Sequence, residues 1–91
     1  MAAIEVIRPH TMGLEKARQA VQAVAEQLQG ELNARHAWKG DVLVFDCPGA
    51  EGRISVSEKA VQVSVELSWL LKPARGRIEK SINETLDKHL V

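Results

Sequence analysis

The chain has 91 residues and a balanced charge, with 12 Lys and Arg against 12 Asp and Glu. Hydrophobic residues make up 45% and charged residues 26%, which is typical of a folded protein, and the length suits a single domain over residues 1–91. A net charge of zero and an aromatic content of 3% argue against nucleic acid as a partner, because such proteins use basic surfaces and stacking aromatic rings.

The sequence also argues against membrane insertion, disulfide bonds and metal binding. No apolar run approaches the roughly 20 residues that cross a bilayer, and no secretory signal precedes the first strand, so we expect a cytoplasmic protein without a transmembrane segment. Cys47 is the only cysteine, and the three histidines are scattered without ligand spacing. We therefore expect no bound metal and no cofactor.

The first half of the chain predicts a strand, a helix and a strand. Residues 3–8 are rich in β-branched side chains and end at Pro9, which cannot donate a hydrogen bond to a sheet. Between residues 14 and 35 apolar side chains recur at steps of three and four, which predicts an amphipathic helix with Thr11 as its cap. Residues 37–45 are apolar on both faces and predict one strand.

The second half predicts two strands and a closing helix. Residues 47–52 are turn formers, and the alternation over residues 53–57 completes a hairpin. Residues 60–69 alternate most regularly and place Val65, Leu67 and Trp69 on the buried face. Pro73 suits the start of a helix, whose apolar stripe consists of Ile78, Ile82, Leu86 and Leu90.

This order of elements, β-α-β-β-β-α, predicts an α+β fold. We expect a four-stranded antiparallel sheet with two helices packed on one face, and with the first strand at an edge or between other strands. The second face of the sheet is expected to be solvated by the polar residues Arg53, Ser55, Ser57, Gln62, Ser64, Glu66 and Ser68.

Acid–base catalysis is one function that the sequence suggests. Arg8 and His10 flank Pro9, and a histidine near a carboxylate such as Asp41 can act as a general base. The favoured alternative for His10 is a structural one, in which it bonds the turn between the first strand and helix. There is no Gly-x-Ser-x-Gly motif, and Cys47 lacks an activating base in its sequence neighbourhood, so we expect a protein without enzymatic activity.

Two further segments are candidates for binding. Trp38 and Asp41 flank a glycine in a loop-like sequence, although a structural role for Trp38 against a helix is favoured. The cations Lys72, Arg75 and Arg77 lie at the start of the last helix, where free N–H groups attract anions such as a phosphate, a phospholipid headgroup or a carboxylate. A solvated face of paired charges at four-residue spacing is the favoured alternative for these cations.

The chain resembles the small polyhydroxyalkanoic acid system protein family, also called the granule-region family. The resemblance spans nearly the whole chain and depends on the order and spacing of several pieces. These pieces are residues 4–8 with His10, Ala17 and Arg18, residues 38–41 leading to Phe45, residues 52–54, residues 61–67, and residues 70–73 followed by Ile78, Ile82 and Leu86.

The resemblance implies a role in the storage or metabolism of polyhydroxyalkanoate (PHA) polyester. It suggests a non-enzymatic accessory protein that associates with PHA granules or their proteins, and it carries over no catalytic residue. Ligand- or surface-binding candidates on this view are Lys72, Arg75, Arg77, Trp69, Ile78 and Ile82. The alternative is a pocket protein for acyl or hydroxyacyl groups, with a groove lined by Val63, Leu67, Trp69, Ile78 and Ile82. Assembly into a homo-oligomer is left open.

Overall fold

A computed structural model describes residues 2–89 of the chain. Leu90, the last member of the predicted helical stripe, lies outside the described residues. The elements in chain order are β1 (Ala2–Pro9), α1 (Leu14–Leu32), β2 (Arg35–Lys39), β3 (Val42–Cys47), β4 (Ala50–Val56), β5 (Ala60–Leu67), a 3-10 turn (Lys72–Ala74) and α2 (Arg75–His89).

The strands form one antiparallel sheet in the order β1-β5-β4-β3-β2. Strands β2 to β5 are consecutive neighbours, whereas β1 pairs with β5 at the edge, with Ile4 opposite Val65. The predicted α+β class and antiparallel sheet are confirmed. The predicted number of four strands is wrong, because the sheet has five.

The additional strand comes from the segment over residues 37–45, which was predicted as one strand. Lys39 pairs with Val42, so Gly40 and Asp41 form a two-residue hairpin turn between β2 and β3. Gly40 has a φ of +63°, a conformation that glycine adopts without steric cost at the first position of such a turn. Because apolar side chains lie on both sides of this turn, the pattern over residues 37–45 did not predict the chain reversal at Gly40.

The ends of helix α1 also differ from the prediction. The helix begins at Leu14 after Gly13, and no side chain caps it, so Thr11 is not its cap. It stops at Leu32, where Asn33 takes the left-handed conformation with a φ of 56° and donates its N–H to the Gln29 carbonyl. Asparagine at this position is a common helix terminator, and it places the end of the helix before the predicted residue 35.

Both helices pack on the same face of the sheet and enclose one continuous core. Helix α1 lies against β3 and β4, and α2 lies beside β1 and against α1. The predicted stripe of α2 is buried there, because Ile78, Ile82 and Leu86 are at most 3% exposed. Within residues 2–89 no helix covers the second face of the sheet, which carries mostly polar side chains, in agreement with the predicted outer face.

Candidate functional site

Trp38 and Asp41 lie on the β2–β3 hairpin, which folds against the first half of α1. The indole Nε1 of Trp38 donates to Gln22 Oε1 at 2.8 Å, and the Arg18 guanidinium lies 4.5 Å from the centre of the indole ring. Arg18 also forms an ion pair with Asp41, at 3.4 Å. The two predicted residues are therefore brought together by Arg18, within reach of a cation–π contact.

A surface depression of about 610 Å³ lies beside this cluster and is lined by Leu14, Glu15, Arg18, Gln19, Gln22 and Trp38. The polar groups of the cluster bond to one another, since Gln22 also contacts Glu26 and His36. The arrangement fastens the hairpin to α1. Arg18 and Gln22 were not predicted as site residues, although their spacing of four residues beside the apolar stripe of α1 indicates a shared helix face.

Arg8 and His10 form a second group, at the end of β1. His10 is 6% exposed, and its Nε2 lies 2.8 Å from the Ser57 carbonyl, while its Nδ1 accepts a hydrogen bond from the Met12 N–H at 3.2 Å. These bonds assign the ring proton to Nε2. Each ring nitrogen therefore bonds a backbone group of a different turn.

Arg8 joins β1 to α2 and not to the hairpin. Its guanidinium donates to Asn83 Oδ1 at 3.2 Å and forms an ion pair with Asp87. Among residues 2–89, no hydrogen bond or ion pair connects Arg8 or His10 with Trp38 or Asp41. The four residues therefore form two separate groups, Arg8 with His10 and Trp38 with Asp41, and each group connects neighbouring elements of the fold.

The groove predicted between the sheet and the closing helix is not formed. Val63 and Leu67 are 0% exposed, and Ile78 and Ile82 are 3% and 1% exposed, so their side chains fill the space between the layers. Trp69, predicted as the fifth lining residue, is 82% exposed. It lies beyond the end of β5, where the alternation between buried and exposed positions stops, and it therefore contributes to the surface and not to the core.

The segment from the end of β5 to the first turn of α2 carries exposed apolar and basic side chains; we call residues 69–77 the connector. Trp69 is 82% and Leu70 is 56% exposed, which is unusual for large apolar residues. Lys72 and Arg77 are also exposed, and neither side chain has a hydrogen bond or ion pair within the described part of the chain. The connector therefore carries two exposed apolar side chains and two exposed cations, of which Arg77 lies at a depression that Glu31 and Glu84 also line.

Arg75 has a different role from the other two predicted cations. Its Nε donates to the Ala3 carbonyl at 3.0 Å, and its guanidinium is 3.6 Å from Glu79. It therefore attaches the start of α2 to the edge strand β1. Of the predicted binding residues, Trp69, Lys72 and Arg77 remain at the surface, whereas Ile78 and Ile82 are in the core.

Acidic side chains form a row on the open face of the sheet. Glu66 lies opposite Glu51, which lies opposite Asp46, beside a depression of about 420 Å³. Within residues 2–89, no three His, Cys, Asp or Glu side chains are grouped in a way that could hold a metal ion. The neighbouring thiol of Cys47 is half-buried, and burial, followed by the charge of Asp46, raises its pKa above the ordinary value of 9.0. A raised pKa makes the thiolate scarce at neutral pH.

Comparison with known proteins gives one match. Neither the curated proteins nor the solved structures contain a significant match to the chain. None of the helices within residues 2–89 is both long and apolar enough to span a membrane. A protein-family model matches residues 4–90, which is nearly the whole sequence. The chain therefore belongs to the family described as "Putative polyhydroxyalkanoic acid system protein", as its resemblance implied.

Proposed function

We propose that this protein is a non-enzymatic accessory protein of PHA storage, located in the cytoplasm, that adsorbs to the granule surface through the connector. The family supports a role in the PHA system. The observation that carries the proposal is the exposure of Trp69 and Leu70, at 82% and 56%, in the same segment of the chain as the exposed cations Lys72 and Arg77.

The apolar residues of the connector supply the larger part of the expected attraction. Burying one large apolar side chain contributes about 1.5–3 kcal/mol, so Trp69 and Leu70 together offer about 3–6 kcal/mol on contact with a polyester surface. An indole ring also suits an interface because it presents an apolar body with one polar N–H. Since both side chains already project from the fold, adsorption does not require α2 to separate from the sheet.

The cations of the connector make the attraction dependent on salt. A Lys or Arg beside an anionic surface contributes about 1 kcal/mol, so Lys72 and Arg77 contribute about 2 kcal/mol if the granule coat is negatively charged. This contribution is screened over about 8 Å at physiological ionic strength. Because the chain has no net charge, this local concentration of positive charge would orient the connector towards the surface.

The proposal assigns no catalytic residue to the chain. His10 uses both ring nitrogens for backbone hydrogen bonds, and the raised pKa of Cys47 is unfavourable for a nucleophile. Purified protein should therefore leave hydroxyacyl thioesters unchanged. Hydrolysis or transfer that fell by about 10²-fold or more in His10→Ala, at an unchanged melting temperature, would contradict this part of the proposal.

Adsorption is tested by flotation of purified protein with isolated PHA granules. We expect Trp69→Ser combined with Leu70→Ser to reduce the bound fraction at every salt concentration. Lys72→Gln combined with Arg77→Gln should reduce affinity by roughly 30-fold at low salt, the equivalent of about 2 kcal/mol, and much less at high salt. Arg75 is left intact because it holds β1.

A matched control removes two positive charges elsewhere. Arg35 and Lys39 are exposed at the two ends of β2, so Arg35→Gln with Lys39→Gln changes the net charge equally without altering the connector. This control should bind granules as the parent does. Equal binding by the parent and both connector variants would refute the proposed surface, and loss of binding in the control would show that net charge alone acts.

A further inference from the structure

Hydrogen bonds show which backbone N–H and C=O groups of β1 point to its free edge. The His10 N–H donates to the Lys59 carbonyl at 2.8 Å, which continues the pairing of β1 with β5. The N–H and C=O groups of alternate residues point to opposite edges of a strand. Those of the even-numbered residues of β1 therefore point towards β5. The bond from Arg75 Nε to the Ala3 carbonyl, on the other side, agrees with this assignment.

Glu5 and Ile7 therefore direct their N–H and C=O groups away from the sheet. No backbone or side-chain group within residues 2–89 bonds them there. Ile7 is also 67% exposed, which leaves an apolar side chain at an unpaired edge. An edge of this kind is a template for pairing with another strand.

The edge formed by β2 is more strongly protected than the edge formed by β1, although β1 also carries the charged Glu5 and Arg8 and ends at Pro9. Strand β2 has only five residues and carries the charged Arg35 and Lys39 at its two ends. Strand β1 has eight residues, and between Ala2 and Arg8 it contains neither lysine nor proline. Short strands with charged side chains discourage edge pairing, so the two edges differ in their capacity to bind a strand.

We propose that a second copy of this chain pairs with this edge, so that the two β1 strands run antiparallel about a two-fold axis at Val6. The five-stranded sheets then join into one continuous sheet. In this register Glu5 of each copy lies opposite Ile7 of the other, and each such pair exchanges N–H to C=O hydrogen bonds. Identical surfaces make this a closed, isologous dimer.

Two features of β1 select this register. Ala3 lies opposite Pro9 of the second copy, whose missing N–H is not needed because Arg75 already bonds the Ala3 carbonyl. A shift that places the axis at Glu5 would set the two Glu5 carboxylates opposite each other, which is unfavourable.

The helices beside β1 are complementary in the same arrangement. Arg75 lies near Ala3 at one end of β1, and Asp87 lies beside Arg8 at the other end. The two-fold axis brings the Ala3 end of one copy to the Arg8 end of the other. Arg75 of one copy therefore approaches Asp87 in the last turn of α2 of the other copy, a turn that also carries Lys88.

Sedimentation equilibrium over a dilution series tests the dimer. We expect a mass of twice the 10.0 kDa of the chain, and Ile7→Glu should raise the dissociation constant by about tenfold, since it places two carboxylates opposite each other in each pair. Adding Glu5→Lys to that variant restores opposite charges and should restore dimerisation. Ala37→Glu, an exposed change on β2, is the matched control and should have no effect.

Amide hydrogen exchange locates the interface within the dimer. The N–H groups of Glu5 and Ile7 should exchange slowly in the dimer and rapidly after dilution. Those of His36 and Trp38, which point to the free edge of β2, should stay rapid throughout. A single-chain mass at all concentrations would overturn the proposal, as would a dimer in which Glu5 and Ile7 exchange rapidly. Neither result bears on granule adsorption, which uses the connector.

Discussion

Replacing Gly52 with alanine tests how closely the strands approach at the centre of the sheet. Gly52 is in β4, opposite Phe45 in β3 and Val65 in β5. A Cβ atom at this position would lie 2.7 Å from the Ser64 carbonyl oxygen and 2.8 Å from Phe45 Cζ. Such distances are far below van der Waals contact, so atoms have to move.

The cost of that movement follows from which atoms are in the way. The Ser64 oxygen belongs to the backbone of the adjacent strand, and Phe45 is 2% exposed in the core, so neither can move away freely. Overpacking of this kind costs about 1–3 kcal/mol. For a domain of this size, each kcal/mol corresponds to about 4–8 °C, so Gly52→Ala should lower the melting temperature by at least about 4 °C in a calorimetric scan.

Gly30→Ala is the control for this substitution and should have the opposite effect on the melting temperature. Gly30 lies in α1, and a Cβ atom there would meet nothing within 4 Å. Alanine is favoured over glycine in a helix by up to about 1 kcal/mol, so the melting temperature should rise by several degrees. If Gly52→Ala were as stable as the parent, the close approach of β4 to β5 and to Phe45 would be refuted.

Four other outcomes follow from the structure. His10→Ala should lower the free energy of unfolding by about 1–3 kcal/mol in urea titrations, because two hydrogen bonds between turns are lost; no change would contradict the bracing role of the imidazole. Ile82→Ala should cost about 2–5 kcal/mol and Ser64→Ala less than about 0.5 kcal/mol, so equal effects would contradict the assignment of Ile82 to the core and of Ser64 to the open face of the sheet. Trp38→Phe should cost about 0.5–1.5 kcal/mol in the same titrations, since the ring remains beneath Arg18 but the bond to Gln22 is lost. For Cys47, the pKa is raised in the folded state, so stability is retained below the ordinary value of 9.0 and decreases as pH rises through the folded value; Cys47→Ala should lack this decrease in unfolding titrations, and an identical pH profile would contradict it.

Periodicity predicted most of the fold because most elements are amphipathic. The alternation in β5 and the three- and four-residue steps in α1 both match the buried positions of the structure. The prediction failed where apolar side chains occur on both sides of a turn. Trp38 before the reversal at Gly40 is partly buried, and residues 42–45 after it are partly or fully buried, so their hydrophobicity carried no sign of the turn.

The surface was harder to predict than the core, because exposure depends on where a strand ends. Trp69 continues the odd-numbered pattern of β5, and only the end of the strand at Leu67 turns it outward. The role of Arg75 was equally hard to predict, because its hydrogen bond to the Ala3 carbonyl joins residues far apart in the chain. A distinction between a structural and a free cation therefore required the three-dimensional arrangement.

The position of β1 beside β5 has a consequence for the order in which the chain folds during synthesis. Strand β1 leaves the ribosome before α1 and strands β2 to β5, yet its neighbour in the sheet, β5, does not start until Ala60. At roughly 5–20 residues per second, about 3–10 s pass between the two strands. The hairpins from β2 to β5 can close as they emerge, because their contacts are local. The nascent chain thus keeps Ile4 and Val6 uncovered until last, and docking of β1 completes the sheet.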